Sequence, residues 1–203
     1  MLEIKDVFKS FGEKEVLCGA TLSADGETVA LMGESGSGKT TLLRIISGLE
    51  KADGGEVSVT GKTAVAFAEP RLFESVRVLE NITCVMPREN GRQKNEKRAR
   101  ELLLSLLLGG AEHLYPRELS SGMAARVSLA RALAFDADNI LLDEPLRALD
   151  EGTKEAVIDV LRRELEGKSV VMITHDGGDS DALCRRKVFL YDGKIHENPK
   201  NPE

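Results

Sequence analysis

Hydrophobic and polar positions change period several times along this chain. The runs LEIKDVF, TLSAD and TVALMG are short, apolar and β-prone, and Gly12, Gly26 and Gly33 bound them, which predicts three strands. Leu42, Leu43, Ile45, Ile46 and Leu49 then recur at helical spacing, with Gly48 as a stop signal. EVSVTGKTAVAFA reads as two strands around Gly61. From about Pro70 to Arg126 the pattern is mostly helical. Gln93 to Leu108 is charged first and leucine-rich later, and Gly109-Gly110 closes it. A second helix starts near Ser120 and runs through MAARVSLARALA.

Strand character returns with NILLDEP. A helix over about 153–166 follows, then the strand SVVMITHD and a small hairpin in VFLYDGKI. The whole is an α/β core interrupted by a helical insert, with neither an internal repeat nor a low-complexity linker.

Composition narrows this picture. A chain of 203 residues, 41% hydrophobic and 31% charged, suits one globular domain with a sizeable core. The net charge of −6, from 28 basic and 34 acidic residues, argues against a nucleic-acid partner, whose usual footprint is a basic stripe. The one dense basic run, Arg92 to Arg100, is broken by Glu96 and reads as a solvated helix face. Cys18, Cys84 and Cys184 lack metal-ligand spacing, so reduced thiols are expected. MLEIKDVFKSFG has no apolar core of a signal peptide, and no run approaches a membrane span. If the protein works at a membrane, another chain supplies the spanning part.

The chemistry begins at residues 33–41, GESGSGKTT. Gly33, Gly38, Lys39 and Thr40 fit G-x-x-x-x-G-K-[ST] between a predicted strand and a predicted helix. Glycines at positive φ let successive backbone N–H groups, across Glu34, Ser35, Gly36, Ser37 and Thr41, turn toward phosphate oxygens. The helix start adds its positive end, Lys39 reaches the outer phosphates, and the Thr40 hydroxyl suits Mg²⁺. A plain glycine-rich turn would explain fewer of these positions. Asp143 and Glu144 end the apolar run NILLDEP, where two carboxylates are costly unless a cation offsets them. Asp143 is the candidate for holding the metal. Adjacent strand residues face opposite ways, so Glu144 need not share that role and is the candidate general base.

With LSSGM at 119–123 lying about twenty residues before LLDEP, the chain resembles the ATP-binding subunits of ABC transporters over nearly its full length. In that resemblance Phe11 stacks on adenine and Gly33–Thr41 is the Walker A loop. Leu119-Ser120-Ser121-Gly122-Met123 is the signature, Ile140–Asp143 is Walker B, and Glu144 is the catalytic glutamate. Ala148-Leu149-Asp150 matches the D-loop and His175 the switch histidine.

The fold so implied is α/β, a P-loop NTPase core with a mixed sheet, an N-terminal antiparallel β subdomain and a helical insert. A single domain spans 1–203, with 1–69 and 127–203 as the ATP-binding core and 70–126 as the helical signature subdomain. ATP and Mg²⁺ are the implied ligands. The implied partners are a second ATPase subunit in a homodimer, transmembrane permease subunits and a solute-binding protein, with no nucleic acid. The implied location is cytoplasmic, at the inner face of the membrane through the permease. In that dimer Ser120 and Gly122 close onto the γ-phosphate held by the other subunit's loop.

EPRLFESVRVLENI is similar to importers of the nitrate, sulfonate or taurine type. Rival readings are a soluble ABC ATPase not linked to transport, and an ATP-gated module with weak hydrolysis. The second is motivated by a departure: in F-A-E-P, Ala68 stands where the family has glutamine. Ser121, for the signature's first glycine, is another departure, and Ala124 and Ala125 replace polar residues. A GTPase fits poorly, since no N-K-x-D element occurs.

Overall fold

The computed structural model describes residues 1–147 and 149–199. Two sheets form. The strands β1 (Leu2–Phe11), β2 (Lys14–Ala24) and β4 (Gly54–Val59) make a small antiparallel sheet in the order β2-β1-β4. β3 (Thr28–Met32), β5 (Thr63–Ala66), β6 (Asn139–Asp143), β7 (Ser169–Ile173), β8 (Arg186–Tyr191) and β9 (Lys194–His196) make the larger one, ordered β5-β6-β7-β3-β8-β9. Its first five strands are parallel and β9 is antiparallel to β8, so the sheet is mixed.

The two strands expected around Gly61 both exist, but they do not pair with each other. β4 joins the small sheet and β5 joins β6. The switch is fixed by Asp138, whose carboxylate accepts the Lys62 N–H at 2.8 Å beside Gly61 at φ 82°. The expected strand TLSAD is the end of a longer one, because β2 begins at Lys14 just past the Gly12 turn. Alternation is weak there because register shifts interrupt the pairing of β1 with β2. The expected terminal hairpin is present as β8–β9, and β8 also extends the main sheet beside β3.

Parallel strands covered on both faces should be apolar throughout, and β3, β6 and β7 are almost wholly buried. Their side chains alternate between two hydrophobic clusters. Ile140, Leu142, Val170 and Met172 meet the helices of the insert, whereas Leu141, Val171 and Ile173 meet the small sheet and the first helix.

That helix, α1, runs from Lys39 to Ile46 and buries Leu42, Leu43, Ile45 and Ile46. Leu49 lies beyond it and is exposed, because the chain turns at Gly48, φ 74°. In the insert, α2 (Val78–Thr83), α3 (Arg92–Ser105) and α4 (Ser121–Ala134) pack together. α3 begins at Arg92, and its last leucines sort by face, Leu102 and Leu103 inward and Leu104 outward. α5 spans Glu151–Glu164, two residues earlier than the periodicity gave. Its start is set by Asp150, which accepts the Thr153 N–H at 3.1 Å. α6 (Gly177–Leu183) was not legible, since two of its first residues are glycines of poor helix propensity. Asp176 nucleates it by accepting the N–H groups of Gly178 and Asp179.

Not all of the insert is helical. Residues 67–77 form a loop held by two side chains. Asn81, fully buried, accepts the Phe73 N–H at 2.8 Å and donates to the Phe73 and Val76 carbonyls. The Arg131 guanidinium donates to the carbonyls of Pro70 and Arg71. Among the described residues no helix is long and apolar enough to cross a membrane.

Candidate functional site

The site lies at the carboxyl ends of the parallel strands, where open α/β sheets take their ligands. β3 delivers the glycine loop, β6 delivers Asp143, and β7, between them in the sheet, ends next to Thr174 and His175. Glycine is required at two loop positions. A Cβ on Gly33, φ 146°, would stand 2.5 Å from the Leu190 carbonyl oxygen, and one on Gly38, φ 108°, 2.9 Å from Val16. Gly38 also caps α1 without a side chain, leaving the first N–H groups of the helix free to face an anion.

Lys39 is nearly buried and folds back over the loop. Its Nζ donates to the carbonyls of Gly33, 2.8 Å, and Glu34, 2.7 Å. Burial lowers the pKa of this ammonium, against the opposing pull of Glu144 and Asp143. The Ser37 hydroxyl, buried in the same loop, has no hydrogen-bond partner. An unpaired buried hydroxyl beside an ordered ring of amides fits an acceptor-rich ligand such as a phosphate.

The Thr40 hydroxyl donates to Asp143 Oδ2 at 3.0 Å. Burial pushes the Asp143 carboxyl above its usual range, and Glu144 adds to this, while the Thr40 hydroxyl and Lys39 oppose it. A buried acid of this kind gains from a cation. Hydroxyl and carboxylate are hard oxygen donors suited to Mg²⁺, which typically completes its shell with substrate phosphates and water. The described residues contain no group of three or more His, Cys, Asp or Glu side chains that could hold a metal ion.

Glu144 departs from the strand-alternation expectation. Its φ of 49° lies in the left-handed region, a strain of order 1–3 kcal/mol for a residue with a side chain. Its N–H donates to the Ile173 carbonyl at 3.0 Å. The chain turns sharply there, and Glu144 lines the same cleft as Asp143. Its carboxylate is gripped from two sides, with His175 Nε2 3.1 Å from Oε1 and Arg147 Nη1 2.7 Å from Oε2.

This cleft, about 430 Å³, gathers most of the residues singled out from the sequence: Phe11, Ser35, Gly36, Gly38, Lys39, Thr40, Thr41, Asp143, Glu144 and His175. Ala68 lines it too. Gly33, Glu34 and Ser37 line an adjoining hollow with His175 and Tyr191. Phe11 is half exposed at the end of β1, with Lys9 Nζ 5.0 Å from its ring centre.

Ser120 and Gly122 line neither. They sit at the start of α4 in the helical insert, where Ser120 Oγ accepts the Met123 N–H at 3.3 Å. Of the D-loop run, Ala148 lies outside the described residues and Asp150 caps α5. Sequence reading missed Arg147, Lys14 and Val16. The signal for Arg147 was its place three residues after Glu144 across a proline turn, a spacing that brings the two side chains together.

A strand, a glycine loop and a helix whose lysine covers the loop, facing a hydroxyl–carboxylate pair and a second acid, define a phosphate-loop nucleoside triphosphatase. The comparisons with known proteins carry this further. The sequence model of the ABC transporter family matches residues 21–147. An aliphatic sulfonates import ATP-binding protein, SsuB of Corynebacterium glutamicum, is 41% identical over 95% of this chain and 81% of that relative. The glutamine transport ATP-binding protein GlnQ of Escherichia coli is 38% identical over all of this chain and 95% of its own length. A solved ATP-binding cassette, a dimer in a post-hydrolysis state bound to ADP and Pi, superposes with a TM-score of 0.89 at 33% identity, covering 98% of each chain. The chain belongs to the ABC transporter family, and within it is an ATP-hydrolysing cassette.

Proposed function

We propose that this chain is the ATPase subunit of an importer, pairing head to tail with a second copy around two ATP molecules and driving a permease from the cytoplasmic face of the membrane. The observation that carries this is the convergence of Lys39, Thr40, Asp143, Glu144 and His175 on one cleft. The relatives named for sulfonate import and glutamine transport support the importer reading. Choice of solute then belongs to the permease and a solute-binding protein. The chain acts as one domain, 1–203, with 1–69 and 127–203 holding nucleotide and 70–126 presenting the signature.

In the mechanism, the amides from Gly33 to Thr41 and the Lys39 ammonium bind the phosphates, with Lys39 leaving the carbonyls of Gly33 and Glu34 to do so. Phe11, half exposed and lining the cleft, stacks on the base. Thr40 and Asp143 would hold Mg²⁺, which would neutralise phosphate charge when bound. Glu144 takes the proton of the attacking water, and His175, on its other oxygen, senses the γ-phosphate. Ser120 and Gly122 complete the site of the paired copy through the free amides of the α4 N-terminus. The loop from Ala68 to Phe73 lies beside the groove for the permease. A second reading, an ATP-gated module with weak hydrolysis, is favoured by one observation, the bare methyl of Ala68 in the cleft.

The deciding experiment compares turnover and nucleotide binding in wild type and Glu144→Gln. The variant is expected to bind ATP normally and to lose about 10²- to 10⁴-fold in turnover, the usual range for a positioned base. Normal hydrolysis by Glu144→Gln would remove the base assignment.

A further inference from the structure

We propose that Arg147 is a positioning residue for Glu144, and that it makes up for the polar side chain absent at Ala68. The inference rests on Glu144 being the base, as argued above.

The turn after Glu144 fixes Arg147 in place. Leu146 is buried in the core below the sheet and anchors the turn, while the Arg147 N–H donates to the Glu144 carbonyl at 3.3 Å. With one residue pinned inward, its neighbour projects outward over the cleft. Arg147 reaches back to Glu144 Oε2 at 2.7 Å although its own side chain is 77% exposed. A surface ion pair of this kind contributes little to folding, so its value must be sought in the geometry of Glu144.

That geometry needs support. Glu144 sits at a strained backbone angle with its carboxylate just outside the end of β6. A carboxylate free to rotate about its terminal torsions would present its lone pairs in many directions. His175 alone restrains one oxygen from the far side, at 3.1 Å. Arg147 supplies the second restraint, a hydrogen bond of 2.7 Å to the other oxygen, so the carboxylate is held between the two side chains. A base must stand within hydrogen-bond reach of the proton it takes, and small misplacements cost rate steeply.

Ala68 makes the arginine matter more. It lines the same cleft as Arg147, Lys39 and Thr40, and its methyl can neither donate nor accept a hydrogen bond. Of the five N–H donors of Arg147, one is engaged with Glu144, and no contact to another described residue uses the rest. They are available to a water in the cleft that both residues line. Arg147 therefore holds the base and fills the donor deficit left at Ala68.

The test uses steady-state ATP turnover of the chain, with fluorescent ATP analogue binding and melting temperature measured on the same samples. Arg147→Met keeps the length and removes the donors. Its kcat is expected to fall about ten- to hundredfold, with KM for ATP, analogue affinity and melting temperature unchanged. Arg147→Lys should recover part of the loss. Ala68→Gln should raise turnover in the Arg147→Met background by a larger factor than in wild type, because the two positions serve one task.

A variant Arg147→Met that turns over as fast as wild type, or faster, overturns the proposal, since the arginine would then be idle or a restraint. Loss of nucleotide affinity with unchanged kcat would also overturn it, by making Arg147 a binding group. Equal effects of Ala68→Gln in both backgrounds would remove the compensation. Glu144→Gln run alongside separates the two levels. If it hydrolyses normally, the base assignment fails; if it is inactive while Arg147→Met is normal, the failure belongs to Arg147 alone.

Discussion

The phosphate-loop end of the molecule and the signature end are built on opposite terms. At the loop end this chain supplies nearly every contact. Gly33 and Gly38 are closed in by Leu190 and Val16, Lys39 is bonded to two carbonyls, Thr40 to Asp143, and Glu144 is flanked by Arg147 and His175. At the signature end Ser120 and Ser121 are exposed, and the Ser120 hydroxyl bonds only within the start of its own helix. Glycines of the same insert, Gly91 and Gly110, would meet nothing within 4 Å if given a side chain. The first end is shaped against its own chain. The second is a capped helix start that lines none of that chain's own nucleotide cleft. On the proposed pairing, each half has its counterpart in the other copy.

The largest effect should come from mixing two defective chains. Lys39→Ala removes the phosphate contact of the loop, and Gly122→Asp puts a negative side chain where the helix start would approach a phosphate. Each alone should lack measurable turnover. In a head-to-tail pair of one with the other, one site joins two defective halves and the second joins two intact ones. Turnover should therefore reappear on mixing. A mixture that stays inactive, although both variants fold by circular dichroism, would break the comparison at its root.

Next in size is a contrast between two glycines. Gly33→Ala forces a Cβ to 2.5 Å from the Leu190 oxygen at a φ of 146°, so the loop must shift. Nucleotide affinity should fall at least about tenfold, a misfit of about 1.4 kcal/mol. Gly110→Ala, at φ 88° with open space around it, carries only the backbone strain of about 1 kcal/mol. It should lower the melting temperature by about 2–4 °C and leave affinity unchanged. Equal affinity losses in the two variants, read by titration with an ATP analogue, would erase the distinction between a closed loop and an open insert.

The same contrast explains what could be read from the sequence. The loop end was legible because each chemical requirement falls on adjacent residues: the glycines, Lys39 and Thr40 lie in one run, and Asp143 and Glu144 in another. Strand alternation nonetheless suggested that Glu144 could face away from Asp143. A left-handed residue at a strand end breaks the period of two, and no local pattern announces it. Arg147 was missed because it matters through a turn contact rather than a motif. The pairing of β4 and β5 with different sheets depended on Asp138, which lies 76 residues from the Lys62 N–H it accepts. The part of the loop from Pro70 on falls in a stretch that reads as mostly helical, because its true determinants, Asn81 and Arg131, hold backbone from outside the segment. In each of these cases a tertiary contact decided against a local tendency.

The smallest effect sharpens the comparison from the signature side. Ser120 is an N-cap, with φ −68° and ψ 163°, and its hydroxyl accepts the Met123 N–H at a long 3.3 Å. Ser120→Ala leaves that amide to water, which at an exposed helix start costs about 1 kcal/mol. The melting temperature should fall by about 2–4 °C. ATP affinity of the unpaired chain should not change, because the hydroxyl lines none of its own nucleotide cleft. Turnover at high chain concentration should fall more than that small stability loss explains, since the hydroxyl and the amides it orders belong to the other copy's site. If turnover follows melting temperature alone, Ser120 is a helix cap and nothing more, and the signature end keeps only Gly122 and the bare helix start as its claim on a phosphate.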